Sequence, residues 1–407
     1  MASKRLVGAL NNNGVKAKML VDEKESDDIT VVGLPRNLRS RWRFLWERWR
    51  IFCHLHFSKT HLWDIDMANT GFDITRLREF QEADVIHLEW INHGMLSLKG
   101  IGKILDSGKP VVWTMHDMWP ATGLCHLTLD CNHYRNGCGR CPYLPSGRDS
   151  DLSARVFRRK QRLLKGRTLF FVTCSKWLAS QARTSRLLLG QKVAVIPNPI
   201  DTHTFRPGDR EEARQRLNLP QDKRIILFVA YRATTAMKGM SYLVDACRKM
   251  VEKRPESRTD TAIVILGGHA DEYEHQFQMP VFPMGYVTDP HTIVEVYRSA
   301  DVFVLPSLSE NLPNTIMEAM ACGVPCVAFR VGGIPEEIDH LKNGYVAKYK
   351  DSDDLEHGIE WVLDEADRAE LSHNAVHKVA TEYSQRAVAM RYIDIYQQAM
   401  AFKNYKL

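Results

Sequence analysis

The sequence predicts an α/β protein made of two doubly wound domains, each a parallel sheet covered by helices. Three observations predict this. Short apolar runs of strand length alternate along the chain with segments whose apolar residues recur at helical spacing. The alternation falls into two sets, separated at Pro197-Asn198-Pro199-Ile200-Asp201, where two prolines in three residues interrupt both helix and ladder. The 407 residues, 44% hydrophobic and 26% charged, are enough for two cores of ordinary globular composition.

In chain order, a helix over 3–10 stops at Asn11-Asn12-Asn13-Gly14. Strands are expected over 16–21, 29–32, 85–88, 111–115, 169–173 and 193–196, then over 225–229, 262–266, 302–305 and 325–328. Several are continuously apolar, as strands buried on both faces of a parallel sheet are. Tyr242, Ala246 and Met250, and then Ile293, Val296 and Tyr297, mark helices by their spacing. A last helix over 384–401 carries Ala387, Met390, Tyr392, Ile395 and Tyr396. The expected division is a first domain over 1–199, a second over 200–383, and a closing helix over 384–407.

From 35 to 57 the chain is rich in tryptophan and arginine. Trp42, Leu45, Trp46, Trp49 and Phe52 recur at helical spacing, with Arg36, Arg39, Arg43 and Arg50 among them. Two readings stand: a helix at an anionic bilayer surface, or a core-packed helix with a solvated basic face. The apolar runs fall far short of the roughly 20 residues that span a bilayer, and the first ten residues hold no signal-peptide core. The expected location is therefore the cytoplasm, with peripheral contact to the inner face of the membrane under the first of those readings. The net charge of +6 is mild, and one basic helix is too narrow a surface for nucleic acid.

The densest chemical signal runs from Pro306 to Ala321. A loop leaves the apolar run 302–305, and a helix opens near Pro313 and Asn314, with Glu310 and Glu318 on either side of its start. The first N–H groups of a helix lack internal partners, so this end suits an anion such as a diphosphate. Glu310 would face the group beyond the phosphates, and Glu318, about one turn inside, would accept hydrogen bonds from ribose hydroxyls. Arg232 and Lys238 follow the strand over 225–229, at the end of a sheet where open α/β folds bind ligands. Leu266-Gly267-Gly268 and Val331-Gly332-Gly333-Ile334-Pro335-Glu336 add glycine turns that admit close backbone approach.

Taken in this order, the pieces resemble the retaining group 1 (family 4) glycosyltransferases of the GT-B fold, two Rossmann-like domains facing a cleft. The resemblance covers the linker at 197–207 and the stretch from Arg232 to Gly344. It implies transfer of a sugar, with retention, from a UDP- or GDP-sugar to an acceptor hydroxyl, with no metal or cofactor needed for catalysis. Arg232 and Lys238 would hold the diphosphate, and Glu310 would orient the sugar. Gly267, Asn311, Leu312, Asn314, Thr315 and Glu318 would line the donor. The resemblance also sends the final helix back to the first domain. Tyr231 stands where the family commonly has glycine. The family also places a strand and a glycine-rich turn before the helix at 3–10, and this sequence shows neither. That departure reads first as a misplaced start or a truncated chain, and otherwise as a compromised protein, which keeps open a catalytically silent relative that binds a sugar nucleotide or a partner.

In the first half, His87 to Gly94 and Thr114 to Pro120 lie at or past strand ends. His116, with Asp117 beside it, matches a family histidine near donor sugar and acceptor, while His87 reads as structural. Asp64-Ile65-Asp66 reads as a solvated turn. Of nine cysteines, Cys53, Cys174, Cys247, Cys322 and Cys326 sit in apolar surroundings. Cys125, Cys131, Cys138 and Cys141 share one loop, whose spacing allows structural zinc or free or redox-active thiols. His116-Asp117-Met118-Trp119-Pro120 followed by this loop resembles a bacterial polysaccharide-biosynthesis subgroup, which implies a glycan or lipid-linked acceptor.

Overall fold

The computed structural model describes residues 2–35 and 38–404, and the side chains of all of these except 38–41, 403 and 404. Arg36 and the Arg39 side chain lie outside the described residues. The chain forms two compact units, Ser3–Ile196 with Ala389–Leu407, and Pro197–Val388.

In the first unit β1 (Met19–Val21) pairs, among the described residues, only with β2 (Val31–Gly33), in parallel. The strand expected over 29–32 starts later, and Ile29 is 89% exposed. The cause is local. Asp28 Oδ1 accepts from the Thr30 amide at 2.9 Å and from the Thr30 hydroxyl at 2.7 Å, a turn that keeps 28–30 out of the ladder.

The main sheet of this unit has the order β3 (Ile86–Leu88), β4 (Val111–Met115), β5 (Phe170–Thr173), β6 (Lys192–Val195), all parallel. Every residue of β4 and β5 is buried, which is why both runs are unbroken by polar alternation. Flanking helices begin at side-chain caps: Ser97 accepts from Gly100, Asp151 from Ala154 and Ser175 from Leu178.

The tryptophan-rich segment forms the helix Leu38–His54. Among its described side chains Glu47, Arg48 and Ile51 are buried, while Trp42, Leu45, Trp46 and Trp49 are all exposed. The aromatic stripe is thus the outer face, and the core-packed reading of that stripe is overturned. Polar residues take the inner positions because Glu47 Oε1 caps the Met67 and Ala68 amides, and Arg48 ion-pairs with Asp66.

The second unit holds six parallel strands in the order β12-β11-β10-β7-β8-β9. They are β7 (Arg224–Arg232), β8 (Thr261–Gly268), β9 (Val281–Gly285), β10 (Val302–Leu305), β11 (Cys326–Phe329) and β12 (Gly344–Ala347). From β7 the chain winds outward through β8 and β9, then returns to β10 and winds the other way. The order therefore reverses between β7 and β10, and that switch point opens a crevice at their carboxyl ends.

The helix Gln385–Asn404 carries the chain back, with Ala389 onward belonging to the first unit. Tyr396 OH bonds His87 Nδ1 at 2.8 Å, and Tyr392 OH lies 2.9 Å from Thr114 Oγ1.

Candidate functional site

The switch point of the second unit gathers three loops. After β7 comes a single turn, Ala236–Lys238, ending at Gly239 in left-handed backbone (φ 70°). A Cβ on Gly239 would sit 1.8 Å from the Pro306 carbonyl, so only glycine lets this turn meet the loop after β10. The Leu308 amide donates to the Met237 carbonyl at 2.8 Å and fixes that approach. From the other side Gly332 (φ 57°) presses on the same loop, where a Cβ would lie 1.7 Å from the Glu310 carbonyl. The Gly333 amide donates to the Asn311 carbonyl at 2.7 Å. Glu310 is thereby clamped between two glycine turns.

Lys238 Nζ makes an ion pair with Glu310 Oε1, with 32% and 13% of the two side chains exposed. Arg232 closes β7 in an exposed position, and its Nη2 lies 3.3 Å from His269 Nε2. Glu318 sits inside the helix Asn314–Ala321, buried, and its Oε2 accepts from Tyr297 OH at 2.9 Å. Asn311, Asn314 and Thr315 are half-buried at the helix start, and Leu312 is buried. Asn314 Oδ1 accepts from Asn198 Nδ2 at 3.2 Å. Gly267 lies against β7, with a would-be Cβ 2.1 Å from the Ala230 carbonyl. The structure thus joins Lys238 to Glu310 directly, and brings Gly332 and Gly333 onto the same loop. The contacts seen for Arg232 and Glu318 lead elsewhere.

One group went unnoticed in the sequence. Glu337 is completely buried, and neither carboxyl oxygen finds a hydrogen-bond partner among the described residues. Burial, with the charge of Glu310 nearby, pushes its pKa well above the carboxylate range. Its only sequence signal is a second glutamate directly after Pro335-Glu336.

His116 belongs to the first unit, directly after β4. Its Nε2 lies 3.0 Å from Glu89 Oε2, and its Nδ1 3.5 Å from Cys174 Sγ. Burial opposes charge on this ring, but Cys174 and Glu89 outweigh it and raise the pKa well above the ordinary histidine value. Burial likewise works against charge on Glu89, yet the His116 hydrogen bond leads in holding it down at about 2. His116 and Glu89 therefore pair in a way that favours the charged form of each. Glu89 lies in the run from His87 to Gly94, and nothing local marks it as the partner of a histidine 27 residues on.

A second network contradicts the reading of Asp64-Ile65-Asp66 as a solvated turn. Asp66 is fully buried and receives Arg48, while His126 bridges Asp66 and Asp117 at 2.7 Å to each. Burial disfavours charge on His126, but the two carboxylates lift its pKa to about 9. Trp90 packs edge-on against His93 at 4.6 Å between ring centroids. His93 stands in left-handed backbone (φ 55°), and its Nε2 lies 3.6 Å from Asp66 Oδ2.

Cys125, Cys131, Cys138 and Cys141 line one small cavity with Tyr134 and Tyr143. Burial pushes Cys138 up to about 12 and Cys141 to about 11. Among the described residues no group of three or more His, Cys, Asp or Glu side chains is arranged to hold a metal ion. As placed, the four sulfurs are thiols around a shared void, and zinc finds no support in their arrangement.

Residues 209–378 match the family described as glycosyl transferases group 1, and residues 57–204 match glycosyltransferase family 4. The chain is similar to D-inositol 3-phosphate glycosyltransferase 2 of Catenulispora acidiphila, 28% identical over 221 residues, 51% of each chain. It therefore spans about half the length of that curated relative. Among solved structures it is similar to sucrose-phosphate synthase of Thermosynechococcus elongatus, with TM-score 0.65, 18% identity, and 98% and 92% of the two chains covered. It is also similar to the Anabaena protein HepE in complex with UDP, with TM-score 0.57, 18% identity, and 78% and 79% covered.

Proposed function

The chain belongs to the group 1, family 4 glycosyltransferases of the GT-B fold, and from that premise we propose that it moves a sugar from a nucleoside diphosphate sugar to an acceptor hydroxyl, with retained configuration and without a catalytic metal. The observation that carries the proposal is the Lys238–Glu310 ion pair, locked at the switch point by Gly239 and Gly332. An incoming diphosphate offers Lys238 a stronger partner, and Arg232 adds a second cation in planar form. Freed from Lys238, Glu310 becomes an acceptor for sugar hydroxyls. Together with the start of the Asn314–Ala321 helix, the two cations neutralise the charge that develops on the leaving diphosphate, the work a metal does elsewhere. The acceptor oxygen then bonds the anomeric carbon from the face the leaving group departs, as the bond from that carbon to the diphosphate oxygen breaks and the acceptor proton passes to the departing diphosphate, which retains configuration.

On the acceptor side, His116 presents a charge held by Glu89 at the end of β4, and the acceptor is a glycan or a lipid-linked glycan. HepE was solved with UDP, so UDP-sugars head the donor panel. The test is thermal stabilisation by UDP- and GDP-sugars, with hydrolysis and transfer measured in parallel. Glu310→Ala and Lys238→Ala are expected to abolish turnover while the melting temperature stays near wild type. Full activity in either variant overturns the assignment. Stabilisation without any turnover in the wild type would make the chain a silent sugar-nucleotide binder.

A further inference from the structure

The first unit carries a surface that donor chemistry does not use. On the Leu38–His54 helix, Trp42, Leu45, Trp46 and Trp49 stand at positions i, i+3, i+4 and i+7, one continuous stripe. Their exposures are 68%, 54%, 50% and 51%, and Phe57, just past the helix, is 65% exposed. Trp49, Phe52 and Phe57 pack together, with ring centroids 5.5 to 6.5 Å apart, so the stripe ends in an aromatic cluster. Isolated exposed apolar residues need no explanation, but five large ones in a row on a single face do.

The neighbouring surface is basic. Arg50 and Lys59 are exposed beside the stripe. The helix Leu152–Leu164 contains no acidic residue and exposes Arg155, Arg158, Arg159 and Arg162. Burial, and then the charges of Arg155 and Arg50, depress the ionisation of His54 at the end of the aromatic helix. One unit thus exposes both an aromatic stripe and a cationic helix.

We propose that these two exposed surfaces of the first unit dock the protein on an anionic lipid surface, with the tryptophans at the headgroup boundary and the arginines facing lipid phosphates. The charge pattern selects the occupant. A nucleic acid backbone would satisfy the arginines but leave the aromatic stripe in water, whereas a bilayer interface takes both. Docking stands apart from the catalytic reading: it would persist if donor chemistry failed, and it would bring the enzyme to a lipid-linked acceptor if donor chemistry holds.

The full chain is tested by co-sedimentation with phosphatidylcholine vesicles and with vesicles containing phosphatidylglycerol. Binding is expected only to the anionic vesicles, weakened by added salt, with a blue shift of tryptophan emission. Trp46→Ser with Trp49→Ser should reduce binding about tenfold or more at unchanged circular dichroism, consistent with loss of two interfacial anchors. Arg158→Glu with Arg159→Glu should lower it by at least about fivefold for each cation removed and flatten its salt dependence. No sedimentation with anionic vesicles at low salt overturns the proposal, as does undiminished binding of the tryptophan variant. Tighter retention by a mixed-sequence DNA duplex than by the vesicles would also overturn it, reassigning the face to nucleic acid.

Discussion

At the scale of single residues, the buried ionisable groups set the clearest expectations. Glu47 is fully buried at the base of the aromatic helix, and burial together with repulsion from Asp66 raises its pKa from 4.5 to about 7, against the pull of Arg48. A carboxyl whose folded-state pKa is raised stabilises the fold fully below its unfolded value and loses that contribution as pH rises through the folded value. The stability from Glu47 is therefore present below about pH 4.5 and lost by about pH 7, a difference on the order of 3 kcal/mol. Glu47→Gln keeps an oxygen for the Met67 and Ala68 amides and carries no charge. Denaturant unfolding should show the variant near wild type at pH 4.5 and increasingly more stable than wild type toward pH 7.5. A constant gap across that range would mean that Glu47 does not titrate there. Glu337 follows the same sign, and Glu337→Gln should be tolerated, since burial and the nearby charge of Glu310 already disfavour its ionised form.

At the scale of elements, the second unit depends on glycine where two loops press on a third. Gly332→Ala places a methyl against the Glu310 carbonyl and asks for left-handed backbone from a residue that resists it. The expected cost is about 1–3 kcal/mol in unfolding measurements. Nucleotide-induced thermal stabilisation should fall further than the lost stability explains, because Glu310 is displaced. If stabilisation by UDP is unaffected, Gly332 serves the fold and not the site. This element was legible in the sequence because its parts are local: a glycine turn, an apolar strand and a helix start, each written in consecutive residues. The runs 111–115 and 302–305 were legible for the same reason, since a strand buried on both faces declares itself in its own composition. The outward face of the tryptophan helix was not legible, because helical spacing identifies a stripe but not which stripe a sheet will cover. The buried side was decided by Glu47 reaching the Met67 amide, 20 residues away. Nor was the Asp66–His126–Asp117 network, whose longest link spans 60 residues. The strand at 29–32 was misplaced because one aspartate side chain captured the Thr30 amide, a contest that apolar pattern does not register.

At the scale of the whole molecule, the two units differ in how the chain builds them. The second is one uninterrupted stretch, Pro197–Val388, whereas the first is completed by residues from Ala389 onward. That return fills real space. Tyr392 and Tyr396 are buried to within 2% and 9% exposure, and their hydroxyls reach Thr114 and His87 on β4 and β3. Without them, two polar side chains on β3 and β4 each lose a buried hydrogen bond, at about 1–3 kcal/mol when left unmet, and a tyrosine-lined cavity opens beside them. The second unit has no such debt, since its sheet, its glycine clamp and the Lys238–Glu310 pair all lie within its own stretch. A fragment of residues 197–388 should therefore unfold cooperatively by itself and be stabilised by UDP or GDP. A fragment of residues 3–196 should melt well below the corresponding transition of the intact chain, and a peptide of residues 385–404 should raise its melting temperature. Equal stability of the 3–196 fragment with and without that peptide would show that the closing helix is an appendage, and that the tyrosine contacts contribute little to the first core.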